Sequence, residues 1–334
     1  MIYFLGKVQR GESVSSIELI YSAQKRLSGN IRETPLLNSP FLDKIAGRRV
    51  LIKAECLQHT GSFKFRGAWS AISALTKHER SKGILAYSSG NHAQGIAAVA
   101  QIFSAPAVII MPSDAPELKI QNTKSFGAEV ILYDRDNESR ESLGSDLAKD
   151  RNLNLIKPYD DHNVIAGQAT LGLELGKQLL KYHISKADVL VCCGGGGLTA
   201  GVALALSEIA PQFQVRPCEP QDYDDTRRSL LSGKRESNIH PGPSICDAIL
   251  TPTPGEVTFP ILHRLAGPGL VVSDREVLFA ITECFHRLKL VVEPGGAVAL
   301  ASAIFRKDQI QGDTVIVVLT GGNTDFKTFR SAFI

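Results

Sequence analysis

One lysine lies between two phenylalanines in the stretch HTGSFKFRGA, residues 59–68. Lys64 is flanked by Phe63 and Phe65, and Gly61 allows a tight turn just before them. An ammonium group among aromatic rings loses hydration, which lowers its pKa and frees a neutral, nucleophilic amine. A lysine beside phenylalanine is more often a surface residue whose stem covers apolar groups. The glycine-bounded setting of Lys64 indicates a reactive amine, provided that other stretches supply a binding site.

Four successive glycines, 194–197, follow an apolar run and precede a helical pattern in CCGGGGLTAG. Glycines permit positive φ angles and lack Cβ atoms, so several N–H groups can converge on one anion. The helix that follows adds the positive end of its dipole, and the pattern therefore indicates a phosphate site. It also matches G-x-G-x-x-A at Gly195, Gly197 and Ala200, with the acidic residue Glu219 after the next strand. A dinucleotide site in a nicotinamide-dependent oxidoreductase therefore stays open at this point.

A third stretch, YSSGNHAQGIA at 87–97, carries two serines, an asparagine and a histidine before an amphipathic helix pattern. Hydroxyl and amide groups next to a helix N-terminus make a cradle for a small carboxylate. N-capping of the helix alone would use one of these residues and leave the others unexplained. Two more glycine-containing stretches, EPGGAVAL at 293–300 and VVLTGGN at 317–323, suit a close approach to a ligand. Within the second of them, Thr320 offers one neutral hydroxyl.

A single cofactor would use the amine, the phosphate loop and the neutral hydroxyl together. Pyridoxal phosphate has an aldehyde that can react with Lys64, an aromatic ring against which Phe63 can pack, and a phosphate for the glycine loop. An oxidoreductase would explain the glycine loop and Glu219 but gives no role to Lys64 or to the serine-containing stretch. A binding protein without catalytic activity needs no desolvated lysine. The residues therefore favour a pyridoxal phosphate enzyme whose substrate carries a carboxylate.

The motifs GSFKFRGA, SSGNHAQG, CGGGGLTAG, EPGGAVAL and LTGGN follow one another in this chain. Their order and spacing resemble the serine/threonine dehydratase and serine racemase group of pyridoxal phosphate enzymes. KIQNTKSFGAEVILY and VIAGQATLGLEL are similar to that group as well, and the likeness runs from about residue 15 to residue 330. The resemblance implies an α/β fold of the tryptophan synthase β-like type (fold type II), with two open twisted sheets flanked by helices.

The resemblance also implies roles for individual residues. Lys64 matches the lysine that forms the Schiff base, and Ser89 matches the second acid/base of the racemases, on the opposite face of the ring. The matching cofactor-binding positions are Phe63, Lys64, Asn91 (at the 3′-oxygen), Gly194, Gly195, Gly196, Gly197, Leu198 and Thr320. The matching substrate-binding positions are Ser88, Ser89, Asn91, His92 and Arg140. Two positions depart from the pattern: Thr320 stands where many members have serine, and Tyr159 where the racemases have asparagine.

The implied reaction follows from the hydroxyl that faces the pyridine nitrogen, which the resemblance assigns to Thr320. A neutral hydroxyl does not keep that nitrogen protonated as a carboxylate does, so the cofactor is a weaker electron sink. Prompt loss of a β-substituent is then favoured over a long-lived carbanion. We expect an ammonia-lyase (dehydratase) that converts a β-hydroxy amino acid such as L-threonine or L-serine to a 2-oxo acid and ammonia. An amino-acid racemase and a dehydratase of the hydroxyaspartate or hydroxyectoine pathways stay open as alternatives.

A divalent cation is the second cofactor that the resemblance implies. Several members bind one through a glutamate, a main-chain carbonyl and an aspartate, which match Glu219, the carbonyl of Tyr223 and Asp225 in CEPQDYDD. Ligands that are all oxygen suit Mg²⁺, Mn²⁺ or Ca²⁺. A solvated acidic loop is the simpler interpretation of the same residues. Dimers are common in the group, so we also expect a homodimer.

Short β-branched runs alternate with longer amphipathic runs along the chain, which predicts parallel sheets. The predicted strands are 49–55, 84–88, 107–111, 129–133, 188–193, 213–218, 270–273 and 314–320. The predicted helices are 91–103, 136–150, 163–183, 198–210 and 274–290. Residues 220–260 are expected to form surface loop and short helix. We assign residues 78–161 to a small substrate-loop domain, and residues 1–77 and 162–334 to a large cofactor-binding domain.

The composition argues against membrane-spanning, nucleic-acid-binding and secreted proteins. Of 334 residues, 43% are apolar and 21% charged, which is ordinary for a globular protein, and no window approaches the ~20 apolar residues of a membrane span. A formal charge of +3 gives no basis for nucleic-acid binding. The six cysteines form no CxxC pair and predict reduced, structural thiols in a cytoplasmic protein. Residues 1–13 have too few apolar residues for a signal peptide.

Overall fold

The structure, a computed structural model, describes residues 16–239 and 241–334. The interpretation of residues 1–13 as lacking a signal peptide therefore falls outside the described residues, as does the start of the proposed large domain. Strands alternate with helices along the chain and form one sheet of six strands and one of four. The fold is thus an α/β fold with two sheets flanked by helices, which confirms the prediction.

Ten strands lie in the described part of the chain, and the eight predicted strands are all among them. They are β1 (Leu36–Leu37), β2 (Arg49–Ala54), β3 (Ile84–Tyr87), β4 (Ala107–Pro112), β5 (Glu129–Tyr133), β6 (Asn154–Leu155), β7 (Ala187–Cys192), β8 (Phe213–Pro220), β9 (Leu270–Val272) and β10 (Thr314–Leu319). The sequence missed β1 and β6. Each is only two residues long, which is too short to show the alternating pattern of a strand.

Helices connect most of the strands. They are α1 (Ile17–Leu27), α2 (Pro40–Ala46), α3 (Lys64–Ala74), α4 (Lys77–Lys82), α5 (Asn91–Ile102), α6 (Glu117–Ser125), α7 (Arg140–Asp150), α8 (His162–Leu179), α9 (Gly197–Ile209), α10 (Asp225–Ser232), α11 (Thr258–Leu265), α12 (Asp274–Glu283), α13 (Pro294–Phe305) and α14 (Phe326–Ser331). Short 3-10 segments lie at Glu55–Leu57, His59–Gly61, Leu180–Tyr182, Asp247–Ile249 and Lys307–Gln309, and a π-helical turn at Cys284–Leu288. The predicted helix 136–150 starts later, at α7, because the Ser139 hydroxyl caps it by accepting from the Ser142 N–H at 3.2 Å.

The two sheets differ in strand order and in the part of the chain that builds them. The larger sheet has the order β1-β2-β10-β7-β8-β9, with all neighbours parallel except the antiparallel pair β1 and β2. The smaller sheet is parallel, with the order β5-β4-β3-β6. All strands of the smaller sheet lie within residues 78–161. The domain boundaries themselves stay a prediction.

Helix α3, which begins at Lys64, is held on the larger sheet by buried ion pairs. The Arg66 guanidinium donates to both Glu55 carboxylate oxygens, at 2.8 and 2.7 Å, and to Glu174 at 2.9 Å. Lys53 on β2 pairs with the same Glu174. Removing one partner from such a network leaves an uncompensated buried charge, so the network fixes where α3 starts. The backbone of Lys64 is therefore placed by residues far from it in the sequence.

Apolar packing joins the helices around the smaller sheet to those of the larger one. One buried cluster contains Phe65 on α3, Ile96 on α5, Val164 on α8 and Leu204 on α9. The six cysteines are buried and free, which confirms the prediction of buried thiols. None of the helices in residues 16–239 and 241–334 is long and apolar enough to cross a membrane.

Candidate active site

A cavity of about 490 Å³ lies where β3, β7 and β10 end, at the carboxyl edge expected for ligands in parallel sheets. Every predicted cofactor and substrate position lines it: Phe63, Lys64, Ser88, Ser89, Asn91, His92, Arg140, Gly194, Gly195, Gly196, Gly197, Leu198 and Thr320. The predicted metal ligands do not line it. The structure therefore brings together residues from five separated stretches of the sequence.

Lys64 does not lie in the glycine turn that the sequence suggested. Gly61, with φ +70°, ends that turn, and Lys64 is already the first residue of α3. Its Nζ donates to the Pro158 carbonyl at 2.7 Å and lies 5.3 Å from the centroid of the Phe63 ring. The Phe65 ring packs instead near Trp69, at a centroid distance of 5.8 Å. Only one of the two flanking phenylalanines therefore faces the amine.

The environment of Lys64 favours the neutral amine. Burial in the cavity wall lowers its pKa to about 8, and the positive charge of Arg140 acts in the same direction. The carboxylate of Glu293 opposes this change without cancelling it. A lysine with this pKa has a substantial neutral fraction near neutral pH, as a nucleophile or general base needs.

The glycine loop is held in a conformation that other residues do not fit. Gly196 has φ +91°, and a Cβ at Gly195 would overlap the ring of Tyr159. A Cβ at Gly197 would lie 2.9 Å from the Tyr159 Cβ. The Gly195 carbonyl accepts a hydrogen bond from the Thr258 hydroxyl at 2.6 Å. Helix α9 starts at Gly197, so its first N–H groups, which have no partner within the helix, lie beside the cavity and suit a phosphate.

The serine-containing loop ends β3 and starts α5. The Ser88 hydroxyl accepts from the Gly90 N–H at 3.2 Å, and Asn91 is the first residue of the helix. His92 is buried, and its Nε2 donates to the Ile156 carbonyl at 3.2 Å. Burial and the charge of Lys64 lower the pKa of His92 to about 3. His92 is therefore a neutral group that brings no positive charge to a substrate carboxylate.

Arg140 and Thr320 lie on different walls of the cavity. Arg140 is the first residue of α7, and its guanidinium lies 5.4 Å from the centroid of the Tyr87 ring. Its Nε donates to the adjacent Glu141 carboxylate at 2.8 Å. Thr320 is buried directly after β10, and its carbonyl accepts from the Phe63 N–H at 3.1 Å. That bond ties the end of β10 to the segment that leads into Lys64.

The predicted metal ligands form a separate group behind the glycine loop. Both carboxylate oxygens of Glu219 accept N–H groups of α10, from Thr226 and Arg227, each at 2.8 Å. Asp225 accepts from the Asn238 amide at 2.7 Å through Oδ1, whereas its buried Oδ2 has no partner. Burial raises the pKa of both carboxyl groups, that of Asp225 to about 7, and the neighbouring Asp225 charge raises that of Glu219 further. An unpaired carboxylate oxygen on Asp225, close enough to Glu219 for the two charges to interact, fits a cation.

Within residues 16–239 and 241–334, no group of three or more His, Cys, Asp or Glu residues could hold a metal ion. A cation near Glu219 would therefore depend on two carboxylates and main-chain carbonyl oxygens. The predicted ligand set, Glu219, the Tyr223 carbonyl and Asp225, has this composition. The position of Glu219 argues against the dinucleotide alternative. Glu219 is buried and does not line the cavity, so its carboxylate is not available to a ribose hydroxyl of a ligand bound there.

Several cavity residues were missed by the sequence analysis. Residues 220–260 are not confined to the surface, because the segment 244–251 lines the cavity and Ile249 lies against Gly194. The others carry charged or amide groups: Lys119, Asp247, Glu293 and Asn323. The sequence could have indicated Glu293 as a site residue, because it is the one charged residue of the otherwise apolar stretch EPGGAVAL. Lys119 begins the family-like stretch KIQNTKSFGAEVILY, but no role was predicted from the sequence for either Lys119 or Asp247.

The sequence model of the family described as "Pyridoxal-phosphate dependent enzyme" matches residues 27–321, most of the chain. The chain belongs to this family. The observed cavity suits its cofactor: the glycine loop lines it, the N-terminus of α9 adjoins that loop, and Lys64 presents an amine of lowered pKa. The nicotinamide-dependent alternative is thereby wrong.

Three relatives of this pyridoxal phosphate-dependent enzyme are named for three different activities. An L-threo-3-hydroxyaspartate ammonia-lyase from Pseudomonas sp is 40% identical over 318 residues, which cover 95% of this chain and 98% of that protein. A serine racemase from Schizosaccharomyces pombe is 38% identical, over 93% of this chain and 94% of that protein. The crystal structure of a T.th. threonine deaminase has a TM-score of 0.87 and 42% identity, over 93% of this chain and 99% of that one.

Proposed function

We propose that the protein is a pyridoxal phosphate-dependent ammonia-lyase that converts a β-hydroxy amino acid to a 2-oxo acid and ammonia. The observation that carries the proposal is the position of Lys64, whose amine shares one cavity with the glycine loop and with the loop 88–91. The relatives support it, because two of the three described above are named as an ammonia-lyase and a deaminase. The implied roles of the site residues are part of this proposal.

The glycine loop and the start of α9 would hold the cofactor phosphate. Their N–H groups and the helix dipole favour an anion there. Phe63 would pack against the ring, Asn91 would contact the 3′-oxygen, and Thr320 would offer its hydroxyl to the ring nitrogen. When bound, pyridoxal phosphate supplies an electron sink for the charge that develops when a bond to Cα breaks.

The remaining residues would act on the substrate. The loop that contains Ser88, Ser89 and Asn91 would bind the α-carboxylate with hydroxyl and amide groups, since His92 is neutral. Lys64, as the neutral amine, would remove the proton from Cα. The β-hydroxyl would leave as water, and the proton that it takes up balances the one that Lys64 removes from Cα. Hydrolysis of the resulting enamine consumes one water and releases ammonia and the 2-oxo acid, so the overall reaction is a deamination.

A substrate panel tests the proposal. The purified holoenzyme is incubated with L-threonine, L-serine and L-threo-3-hydroxyaspartate, and both ammonia and 2-oxo acid are measured together with the enantiomer composition of the remaining substrate. We expect equimolar ammonia and 2-oxo acid from at least one of the three. Inversion of serine without ammonia release would instead identify a racemase, in which Ser89 acts opposite Lys64. No reaction with any of them would refute the lyase assignment.

A second candidate, a hydroxyaspartate ammonia-lyase, is favoured by Arg140. Its guanidinium lines the cavity, where it can pair with a second substrate carboxylate, and the Pseudomonas relative is named for that substrate. We expect Arg140→Leu to lower kcat/KM for hydroxyaspartate about 100-fold and that for serine by less than about 3-fold. The matched control is Arg151→Leu, which removes an exposed arginine paired with Glu129. Equal losses for both substrates would assign Arg140 to a contact that they share.

We infer further that Glu219, the Tyr223 carbonyl and Asp225 hold a divalent cation, Mg²⁺, Mn²⁺ or Ca²⁺. The unpaired, buried Oδ2 of Asp225 supports this, because a cation would compensate the two buried carboxylates. Bound there, the ion would stabilise the start of α10, which lies next to the strand that carries Glu219.

Addition of Mg²⁺ to the chelator-treated protein is expected to raise the thermal unfolding temperature, because a ligand at about 100 times its Kd stabilises by about 2.7 kcal/mol. Differential scanning fluorimetry measures the change. Asp225→Asn is expected to lose the response. Asp224→Asn is the matched control, since that carboxylate pairs with Arg227 and Arg228 instead. A response that persists in Asp225→Asn places the ion elsewhere.

The lowered pKa of Lys64 predicts how the apoprotein takes up its cofactor. The neutral amine is the reactive form, and with a pKa of about 8 its fraction rises about tenfold between pH 7 and pH 9. The rate of covalent attachment, followed by absorbance after mixing apoprotein with pyridoxal phosphate, should rise with pH and level off above pH 9. A rate that keeps rising towards pH 10.5, as for an exposed lysine, would contradict the assigned pKa.

Three expectations from the sequence stay predictions: the boundaries of the small domain at 78 and 161, the homodimer, and the cytoplasmic location. Sedimentation of the holoenzyme at several concentrations tests the second.

A further inference from the structure

A buried carboxylate without an assigned role lies at the start of α13. Glu293 is 1% exposed and lines the cavity. It occupies the N-cap position, but its side chain makes no capping hydrogen bond with the helix. Glutamate is not among the residues preferred at an N-cap, and burying a carboxylate is costly unless it is paired. The side chain therefore has a partner outside the helix that accounts for its place.

That partner is Asn91, in the loop between β3 and α5. The Asn91 Nδ2 donates to Glu293 Oε1. At the other end of the amide, the Asn91 Oδ1 accepts from the Asn323 Nδ2 at 2.7 Å, and that same Nδ2 donates to the Thr60 carbonyl at 2.8 Å. A carboxylate only accepts, and the Asn323 Nδ2, which the Thr60 carbonyl holds in place, only donates. The two contacts therefore fix which end of the Asn91 amide faces Glu293 and which faces Asn323.

The fixed amide leaves one donor available. An asparagine Nδ2 carries two N–H bonds, and Glu293 takes one of them. Among the described residues, no other acceptor pairs with Nδ2, and Asn91 lines the cavity. Without Glu293, only the Asn323 contact would oppose rotation of the amide by 180°, so the observed orientation would be selected less strongly.

The surroundings hold Glu293 in place. The Lys119 Nζ lies 3.8 Å from Glu293 Oε2 and donates to Asp247 at 2.7 Å. The Lys119 stem also packs on Gly90, where a Cβ would lie 3.0 Å from its Cδ. On the opposite side, a Cβ at Gly321 would overlap Glu293 Oε1. Lys119 and the backbone at Gly321 thus lie close to the two oxygens of the Glu293 carboxylate.

We propose that Glu293 is a positioning residue that fixes the Asn91 amide so that its free N–H faces the bound cofactor. The inference rests on the proposed function, in which Asn91 contacts the cofactor. Burial raises the pKa of Glu293 to about 7, whereas Lys119 and the Asn91 hydrogen bond oppose that change. The role needs an acceptor and not a charge, since the carbonyl oxygen of a glutamine in the same place also accepts from Asn91.

Four variants test the inference: Glu293→Ala, Glu293→Gln, Asn91→Ala and the double variant Glu293→Ala/Asn91→Ala. Trp69, the one tryptophan of the chain, lies on α3, the helix that starts at Lys64, and reports cofactor binding to the apoprotein by fluorescence quenching. We expect Glu293→Ala to raise the Kd for pyridoxal phosphate about 10- to 100-fold and to shift the visible absorption band of the bound cofactor. Glu293→Gln should keep the Kd within about 3-fold and leave the band unchanged.

The double variant separates a positioning role from a structural one. If Glu293 acts through Asn91, the double variant should bind the cofactor no more than about 2-fold more weakly than Asn91→Ala alone. A much higher Kd in the double variant than in Asn91→Ala would overturn the inference. So would a Kd of Glu293→Ala equal to that of the wild type, or a Kd of Glu293→Gln as high as that of Glu293→Ala. If the alanine variant does not fold, Glu293→Asp, one methylene shorter, replaces it.

The wild-type protein distinguishes this inference from the proposed function. If the wild type binds pyridoxal phosphate and releases ammonia while Glu293→Ala matches it in Kd and spectrum, only the role of Glu293 is refuted. If the wild type does not bind the cofactor at all, the proposed function and the inference are both refuted.

Discussion

Replacing Lys64 with alanine is expected to lower ammonia release by on the order of 10⁴-fold and to abolish covalent attachment of pyridoxal phosphate. The variant loses both the amine that reacts with the aldehyde and the base that takes the Cα proton. Stability should change little, because Lys64 is half-buried at the cavity and its Nζ bonds one main-chain carbonyl, that of Pro158. Steady-state assays measure the first effect, and hydride reduction followed by peptide mass spectrometry locates the adduct.

Lys186→Ala is the control for this experiment. Lys186 is exposed and donates to Gln311 at 2.8 Å on the surface, so its loss should leave activity and adduct unchanged. An adduct found on another lysine, or undiminished ammonia release from Lys64→Ala, would contradict the assignment of the whole site.

Gly195→Ala is expected to weaken cofactor binding about 10- to 100-fold, because the added methyl group would overlap the Tyr159 ring. Either Tyr159 or the phosphate loop must then move, and the Thr258 hydrogen bond to the Gly195 carbonyl opposes movement of the loop. Titration of the apoprotein with pyridoxal phosphate gives the Kd.

Two further variants show whether the overlap is the cause. Gly242→Ala is the matched control, since its methyl group would lie at an ordinary 3.5 Å from Asp222 and should leave the Kd unchanged. Tyr159→Ala removes the ring, so the double variant Gly195→Ala/Tyr159→Ala should bind the cofactor more tightly than Gly195→Ala. If the double variant binds no better, the overlap with Tyr159 is not the reason for the loss.

The short motifs of this chain were enough to predict the cofactor family and part of the residues that line the cavity. Each motif can be recognised from a few neighbouring residues. The motifs are the lysine beside Phe63, the glycine run 194–197 and the serines before α5. Strand positions were predictable for the same reason, because a short continuous run of apolar residues such as that along β10 is a local property. Where local reasoning was wrong, as for Lys64 in a turn, the buried pairing of Arg66 with Glu55 and Glu174 placed the helix start.

The contacts that tune the site depend on residues far apart in the chain. Asn91 and Glu293 are separated by 202 positions, and Lys119 and Asp247 by 128. No periodicity or motif links such pairs, since only the folding of two sheets around one cavity brings them within hydrogen-bonding distance. The same holds for the lowered pKa of Lys64 and for Tyr159 above the glycine loop. Local residue patterns thus determined the kind of chemistry. Burial and neighbours distant in the sequence decided the protonation of Lys64 and the orientation of the Asn91 amide.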